Sequence, residues 1–273
     1  VLTVAPDPGG RPRDGRLPPS LIHHANPAPI NFHIFFTILC QDTLMTETTT
    51  RQPPPAAADP LETGRHEPPW TRCQAMALKD MEAAHARFTA PGVRALVQVF
   101  RDQAARTGST RIIKAEFDPT RLGRWLDFAV FYDLSDSGNV TFRLVGEILK
   151  RRFRSNPTGR SYLDFVAPER RASALRAFHA CANQPCAMGV QMRQTFTSGR
   201  QTECESFGVP IFETAADDRA AYLLFIDQPV DDARDWLASD RAMVHYHLRQ
   251  RCFVDLGYGT PDGFFDLVQP PPA

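Results

Sequence analysis

The chain lacks an excess of either charge: Lys+Arg and Asp+Glu both number 31 in 273 residues, so the formal net charge is zero. A balanced surface supplies no long-range field for phosphate backbones or acidic lipids, which disfavours nucleic acid and membrane as partners. Ordered cysteine is lacking as well. Cys40, Cys73, Cys181, Cys186, Cys204 and Cys252 form no CxxC pair and no regular spacing, so neither a disulfide framework nor a zinc site is indicated. Buried thiols in a reducing cytoplasm account for them. Signatures of catalysis are missing too: there is no G-x-S-x-G elbow, no Cys or Ser with activating neighbours, and no GxGxxG or Walker pattern. No repeat occurs at solenoid periods.

Proline, by contrast, is abundant and unevenly placed. Thirteen of the 24 prolines precede residue 70. Residues 1–69 combine them with polar tracts such as TETTT, and read as a disordered segment that buries too little surface to offset its ordering entropy. Within it the one apolar run, Ile30 to Cys40, is too short to span a bilayer and lacks the basic lead-in and cleavage site of a signal peptide. No methionine occurs before Met45, and MTETTTRQPPP reads as an ordinary start. The expectation is that residues 1–44 are upstream sequence.

Periodicity begins at Trp70. Trp70, Cys73, Ala77, Met81, Ala84 and Phe88 step by three and four, the stripe of an amphipathic helix, until Pro91-Gly92 interrupts it. Val93, Leu96, Val97, Phe100 and Ala104 predict a second helix closed by Gly108. Residues 70–115 are therefore expected to form a helical hairpin.

The period then changes. DFAVFYDL and NVTFRLV predict two strands around a Ser135–Gly138 turn, with Val140, Phe142 and Leu144 on one face. Glu147 to Arg154 reads as helical turns, and Pro168 as the first position of a helix reaching about Asn183, with Leu175, Phe178 and Ala182 inward. Met188, Val190, Met192 and Phe196 then alternate with polar residues, followed by strands in RQTECESFGVPIF and AYLLFID. Hairpins at both ends with helices between indicate an α+β domain over residues 116–230, an antiparallel sheet with helices on one face. Beyond Pro229, Trp236, Leu237, Met243, Val244 and Leu248 predict a helix in residues 231–273, capped by Asp231 or Asp232 and followed by a loose tail.

The wording of the central region is informative. F-R-L-V-G-E at Phe142–Glu147 and T-G-R-S-Y at Thr158–Tyr162, between FDPTRLGRWLDFAVFYDL and VPIFE…AYLLFIDQPV, resemble the motifs of a bacterial PAS subfamily. Members of that subfamily are often short proteins with no attached output domain. The resemblance covers about Glu116 to Val230. It implies a five-stranded antiparallel sheet, helices over one face, and a ligand-sized pocket between them. It also implies a sensory or signalling role through small-molecule binding or protein contact, without intrinsic catalysis.

Candidate pocket residues under this reading are Phe142, Leu144, Ile148, Phe153, Tyr162, Phe178, Val190, Met192 and Phe225. The same side chains also suit a filled core, and periodicity does not separate the two. Photosensory PAS domains use a cysteine in an N-C-R-F-L type motif; here the region reads G-R-S-Y-L-D-F, with no cysteine, which argues against a cysteinyl-flavin adduct. His179, beside Phe178 on the long helix, is where haem-binding relatives supply an axial ligand, although a lone histidine at a helix edge is more simply a packing residue. His245 and His247, two apart on the expected helix, point in different directions and make no metal site. Lys150, Arg151, Arg152 and Arg154 read as a solvated crossover with Phe153 tucked inward. Asp127, Asp133 and Asp136 read as turn formers. Gly159 is expected to supply a positive φ, with Tyr162 and Phe165 anchoring the segment.

The flanking helices (about 70–106 and 231–252) are the expected surfaces for a signalling partner or a homodimer. One rival reading is a pocket enzyme or carrier pairing His179 with Glu203 or Glu205. The other is a ligand-free scaffold.

Overall fold

The computed structural model describes residues 70–230 and 243–268. The expectations for residues 1–69, and for Trp236 and Leu237, lie outside them. Within the described residues the molecule is a mixed α+β structure built on a large, mostly antiparallel sheet. The strands are β1 (Thr71–Gln74), β2 (Met76–Leu78), β3 (Ile112–Ile113), β4 (Ala129–Asp133), β5 (Thr141–Val145), β6 (Cys186–Phe196), β7 (Gln201–Phe212), β8 (Tyr222–Pro229), β9 (Met243–Asp255) and β10 (Phe265–Val268). The α-helices are α1 (Met81–Arg87), α2 (Pro91–Thr107), α3 (Glu147–Phe153) and α4 (Pro168–Asn183).

The main sheet runs β2-β9-β6-β7-β8-β4-β5, with β3 beside the end of β7, and β1 pairs with β10 in a separate ribbon. Two apolar clusters lie on its two faces. Successive residues of β8 show the division: Tyr222, Leu224 and Ile226 join one cluster, Leu223 and Phe225 the other. The first face is covered by α1, α2 and the 3-10 segment Pro119–Phe128, through Phe88, Leu96, Phe100 and Leu122. The second carries α4 and the 3-10 turn Tyr162–Phe165, through Ala177, Phe178 and Tyr162. Helices thus lie on both faces of the sheet, where one covered face was expected.

Two expectations are corrected here. The first is the helix from Trp70: Thr71–Gln74 and Met76–Leu78 are strands, and the helix begins only at Met81, where Asp80 accepts a hydrogen bond from the Ala83 N–H at 2.8 Å. The strands' partners, β10 and β9, lie more than 170 residues away in sequence. Local spacing therefore could not reveal them. The second helix, closed by Gly108 at φ 69°, forms where its spacing puts it.

The second correction concerns the described part, from Met243 on, of the helix expected across residues 231–252. Met243–Asp255 is a long strand, antiparallel to β6. Gln191 pairs with Gln250 but Met192 with Leu248, so Arg249 is an extra residue, a β-bulge. The bulge breaks the period of two, and the apolar spacing then imitates a helical stripe. The sheet is consequently wider than five strands.

A second bulge matters for the site. Phe131 pairs with Leu144 but Tyr132 with Phe142, leaving Arg143 extra. Phe142 therefore sits in the cluster under α4, while Leu144 packs against the cluster on the opposite face.

Candidate functional site

Between α4 and the inward rows of β6, β8 and β9 lies a cavity of about 70 Å³. At roughly 10–15 Å³ per water-sized group, it has room for about five to seven such groups. One wall is aromatic. Tyr132 stands at its centre, with ring centroids 5.0 Å from Phe178, 5.2 Å from Phe142, 5.4 Å from Tyr162 and 5.7 Å from Phe225, mostly edge to face. Burial, foremost, raises the Tyr132 and Tyr162 phenols well above their ordinary range, so both stay protonated.

Of the sequence-derived candidates, Phe153, Tyr162, Phe178, Val190, Met192 and Phe225 line this cavity. Phe142 is buried just behind it, against Phe153 and Phe165. Leu144 and Ile148 belong to the cluster on the other face. The motif containing Gly159 runs beside β5: the Gly159 N–H donates to the Phe142 carbonyl at 2.7 Å and the Tyr162 N–H to the Val140 carbonyl at 2.7 Å. That pairing, with Gly159 at φ 84°, delivers Tyr162 and Phe165 to the aromatic wall.

His179 is half-buried at the edge of α4 and does not line the cavity. Its Nε2 lies 3.0 Å from the Asn139 carbonyl, and its Nδ1 lies 3.3 Å from Arg219 Nη2. A guanidinium only donates, so Nδ1 accepts and Nε2 carries the proton. A haem group does not fit: the cavity is far smaller than the macrocycle, and His179 is engaged elsewhere. Nor do the carboxylates of the rival reading meet this histidine. Glu203 pairs with Arg193 at 2.7 Å, and Glu205 reaches the backbone N–H groups of Thr89 and Ala90 on the opposite face. Among the described residues no three His, Cys, Asp or Glu side chains are grouped to hold a metal ion.

The other end of the cavity is polar, and sequence reasoning missed it. Gln194 and Asp227 continue the inward rows of β6 and β8, where a period of two could have marked them. Arg152, from the basic run, is buried and donates to Asp227 at 2.9 Å. Tyr246 and Arg251 project from β9, and Arg170 from the first turn of α4. Asp266, on β10, is ion-paired through Arg251 Nε, accepts from Arg251 Nη2 at 3.2 Å and from Ser173 Oγ at 2.8 Å, and lies 3.8 Å from Arg170 Nη2. Burial opposes ionisation of Asp266, but Arg251 and Arg170 outweigh it and hold the carboxyl below its usual range.

Several of these polar groups lack good partners. Among the described residues the Arg170 Nε and Gln194 Oε1 are buried without a hydrogen bond of good geometry, while the Tyr246 hydroxyl interacts with the Tyr162 phenol. Arg251 Nη1 meets only the Met188 sulfur, a weak acceptor. The free cysteines Cys181, Cys186, Cys204 and Cys252 are buried.

No protein-family model matches the chain, and neither a curated protein nor a solved structure matches it significantly. Among the described residues no helix is long and apolar enough to cross a membrane.

Proposed function

We propose that the chain is a PAS-type sensory protein of the cytoplasm, one that binds a small molecule in the cavity beneath α4 and signals through contact with a protein partner or a second copy. The observation that carries this reading is the inner sheet. β5, β4, β8, β7 and β6 are consecutive and antiparallel, and the connection from β5 to β6, through α3 and α4, closes one face over an incompletely filled interior. A five-strand antiparallel run with a cavity on one face agrees with part of what the resemblance of Phe142–Glu147 and Thr158–Tyr162 implies, while the sheet is wider and helices cover both of its faces. Phe142 and Tyr162 both belong to the aromatic cluster there. Buried polar atoms without good partners are rare in a filled core, and among the described residues Arg170 Nε and Gln194 Oε1 are two such atoms on residues that line the cavity. No catalytic role is proposed.

Native mass spectrometry and an absorbance spectrum of the full chain, purified without added ligand, test the reading. A bound small-molecule mass, or stabilisation against heat by compounds of cavity size, is expected. A bare chain mass together with no stabilisation by any such compound would overturn it in favour of a ligand-free scaffold.

A further inference from the structure

The polar end of the cavity has a sign. Its charged lining groups are Arg170, Arg251 and Asp227. Asp227 is matched by Arg152, and Arg251 by Asp266. Arg170 is left over: it is buried, 3.8 Å from an Asp266 oxygen that already accepts from Arg251 and Ser173, and its Nε has no partner. Among the described residues one positive charge in the cluster is therefore uncompensated, inside a protein interior where an unpaired charge is strongly disfavoured. Water would satisfy hydrogen bonds there without supplying the missing negative charge. The same cavity is lined by apolar and aromatic side chains, Phe178, Val190 and Phe225 among them.

Resting on the reading of this cavity as a ligand site, we infer that its ligand is a small monocarboxylate with a short hydrocarbon body. The carboxylate would supply the negative charge that Arg170 lacks and accept from guanidinium N–H groups, whose planar fork matches its geometry. The hydrocarbon part would lie against the aromatic wall. A monoanion balances the single excess charge, whereas a phosphate or dicarboxylate would bring a second charge with no counterpart. The volume limits the body to a few carbons: about 70 Å³ suits a molecule of the size of butyrate.

The test compares sodium butyrate with butyramide, which has the same shape without the charge. Calorimetric titration and thermal unfolding of the full chain are run with ionic strength held by sodium chloride. Butyrate is expected to bind at least tenfold more tightly than butyramide and to raise the Tm. Arg170→Met is expected to abolish that preference while keeping the circular dichroism of the unmodified chain. Should Arg170→Met fail to fold, the acid–amide comparison on the unmodified chain still decides. Equal binding of butyramide and butyrate, or an unaltered preference in folded Arg170→Met, overturns the carboxylate assignment and leaves small-molecule binding standing. A bare chain mass with no stabilisation by either compound, or by any other of cavity size, overturns both.

Discussion

The Glu205 carboxylate, on β7, accepts a hydrogen bond at 2.7 Å from the backbone N–H of Ala90, the residue that opens α2. The same Oε2 accepts from the Thr89 N–H at 2.7 Å, and Gln228 Oε1 accepts from the Gly92 N–H at 2.6 Å. Ala90 has no side chain to cap the helix, so two sheet residues do so from across the interface. A negative charge at this end also suits the helix dipole. Docking of α2 on the sheet is therefore polar at its start and apolar along its length.

Glu205→Ala should consequently destabilise the protein by about 3 kcal/mol, since it leaves two N–H donors unsatisfied at a buried site. Glu205→Gln, which keeps one acceptor oxygen and loses the charge, should cost about 1 kcal/mol. Urea unfolding measures both. Equal stability of Glu205→Ala and the unmodified chain would show that α2 is held by its apolar face alone.

Gly146 tests the motif at the end of β5. A Cβ there would sit 2.4 Å from the carbonyl oxygens of both Leu126 and Asp127, and backbone atoms cannot rotate away. The Gly146 N–H is also tied to the Ala129 carbonyl at 2.8 Å. Gly146→Ala should therefore cost about 3 kcal/mol or more, as overpacking does where nothing yields. Gly159→Ala meets open space and suffers only from its φ of 84°, so about 1–2 kcal/mol is expected. Thermal unfolding of the two variants should rank them in that order.

The His179 ring gives stability a pH dependence of known sign. Burial, aided by Arg219 and opposed by the Asn139 carbonyl, holds its pKa below the ordinary 6.5. The unfolded chain thus takes up the proton more readily than the folded one. The stabilising contribution is complete above about 6.5 and is lost as pH falls through the lower folded value. His179→Gln should flatten the decline in stability between pH 7 and pH 5 relative to the unmodified chain. Parallel declines in denaturant midpoint would remove His179 from that account.

Much of this architecture was legible because it is local. The alternation of Met188, Val190 and Met192 identified β6 and its inward row, and Pro168 the start of α4. What was hidden depends on partners distant in sequence or on single extra residues. Arg143 and Arg249 each shift a strand by one position, which sends Leu144 to the far face and disguises β9 as a helix. Without β9 as a strand, Tyr246 cannot be placed beside Gln194, nor Arg251 beside Val190. Asp266 is out of reach for the same reason: it enters the cluster from a ribbon whose other strand, β1, carries the apolar spacing of a helix. The apolar half of the cavity is thus written in periodicity, and the charged half in topology.

Asp266 holds that charged half together, which makes its replacement informative. Asp266→Asn removes the counter-charge of Arg251, brings an amide N–H₂ among guanidinium donors, and leaves Arg170 without even its distant partner. A loss of about 3–5 kcal/mol is expected, the range for breaking a buried ion pair from one side. Because burial of both charges is itself unfavourable, removing the pair together should be less harmful. Arg251→Met with Asp266→Leu should therefore be more stable than Asp266→Asn, although it lacks more of the native contacts. The excess then measured is the penalty of stranded charge. If the double variant is instead the less stable, the pair stabilises through its hydrogen bonds rather than by mutual neutralisation.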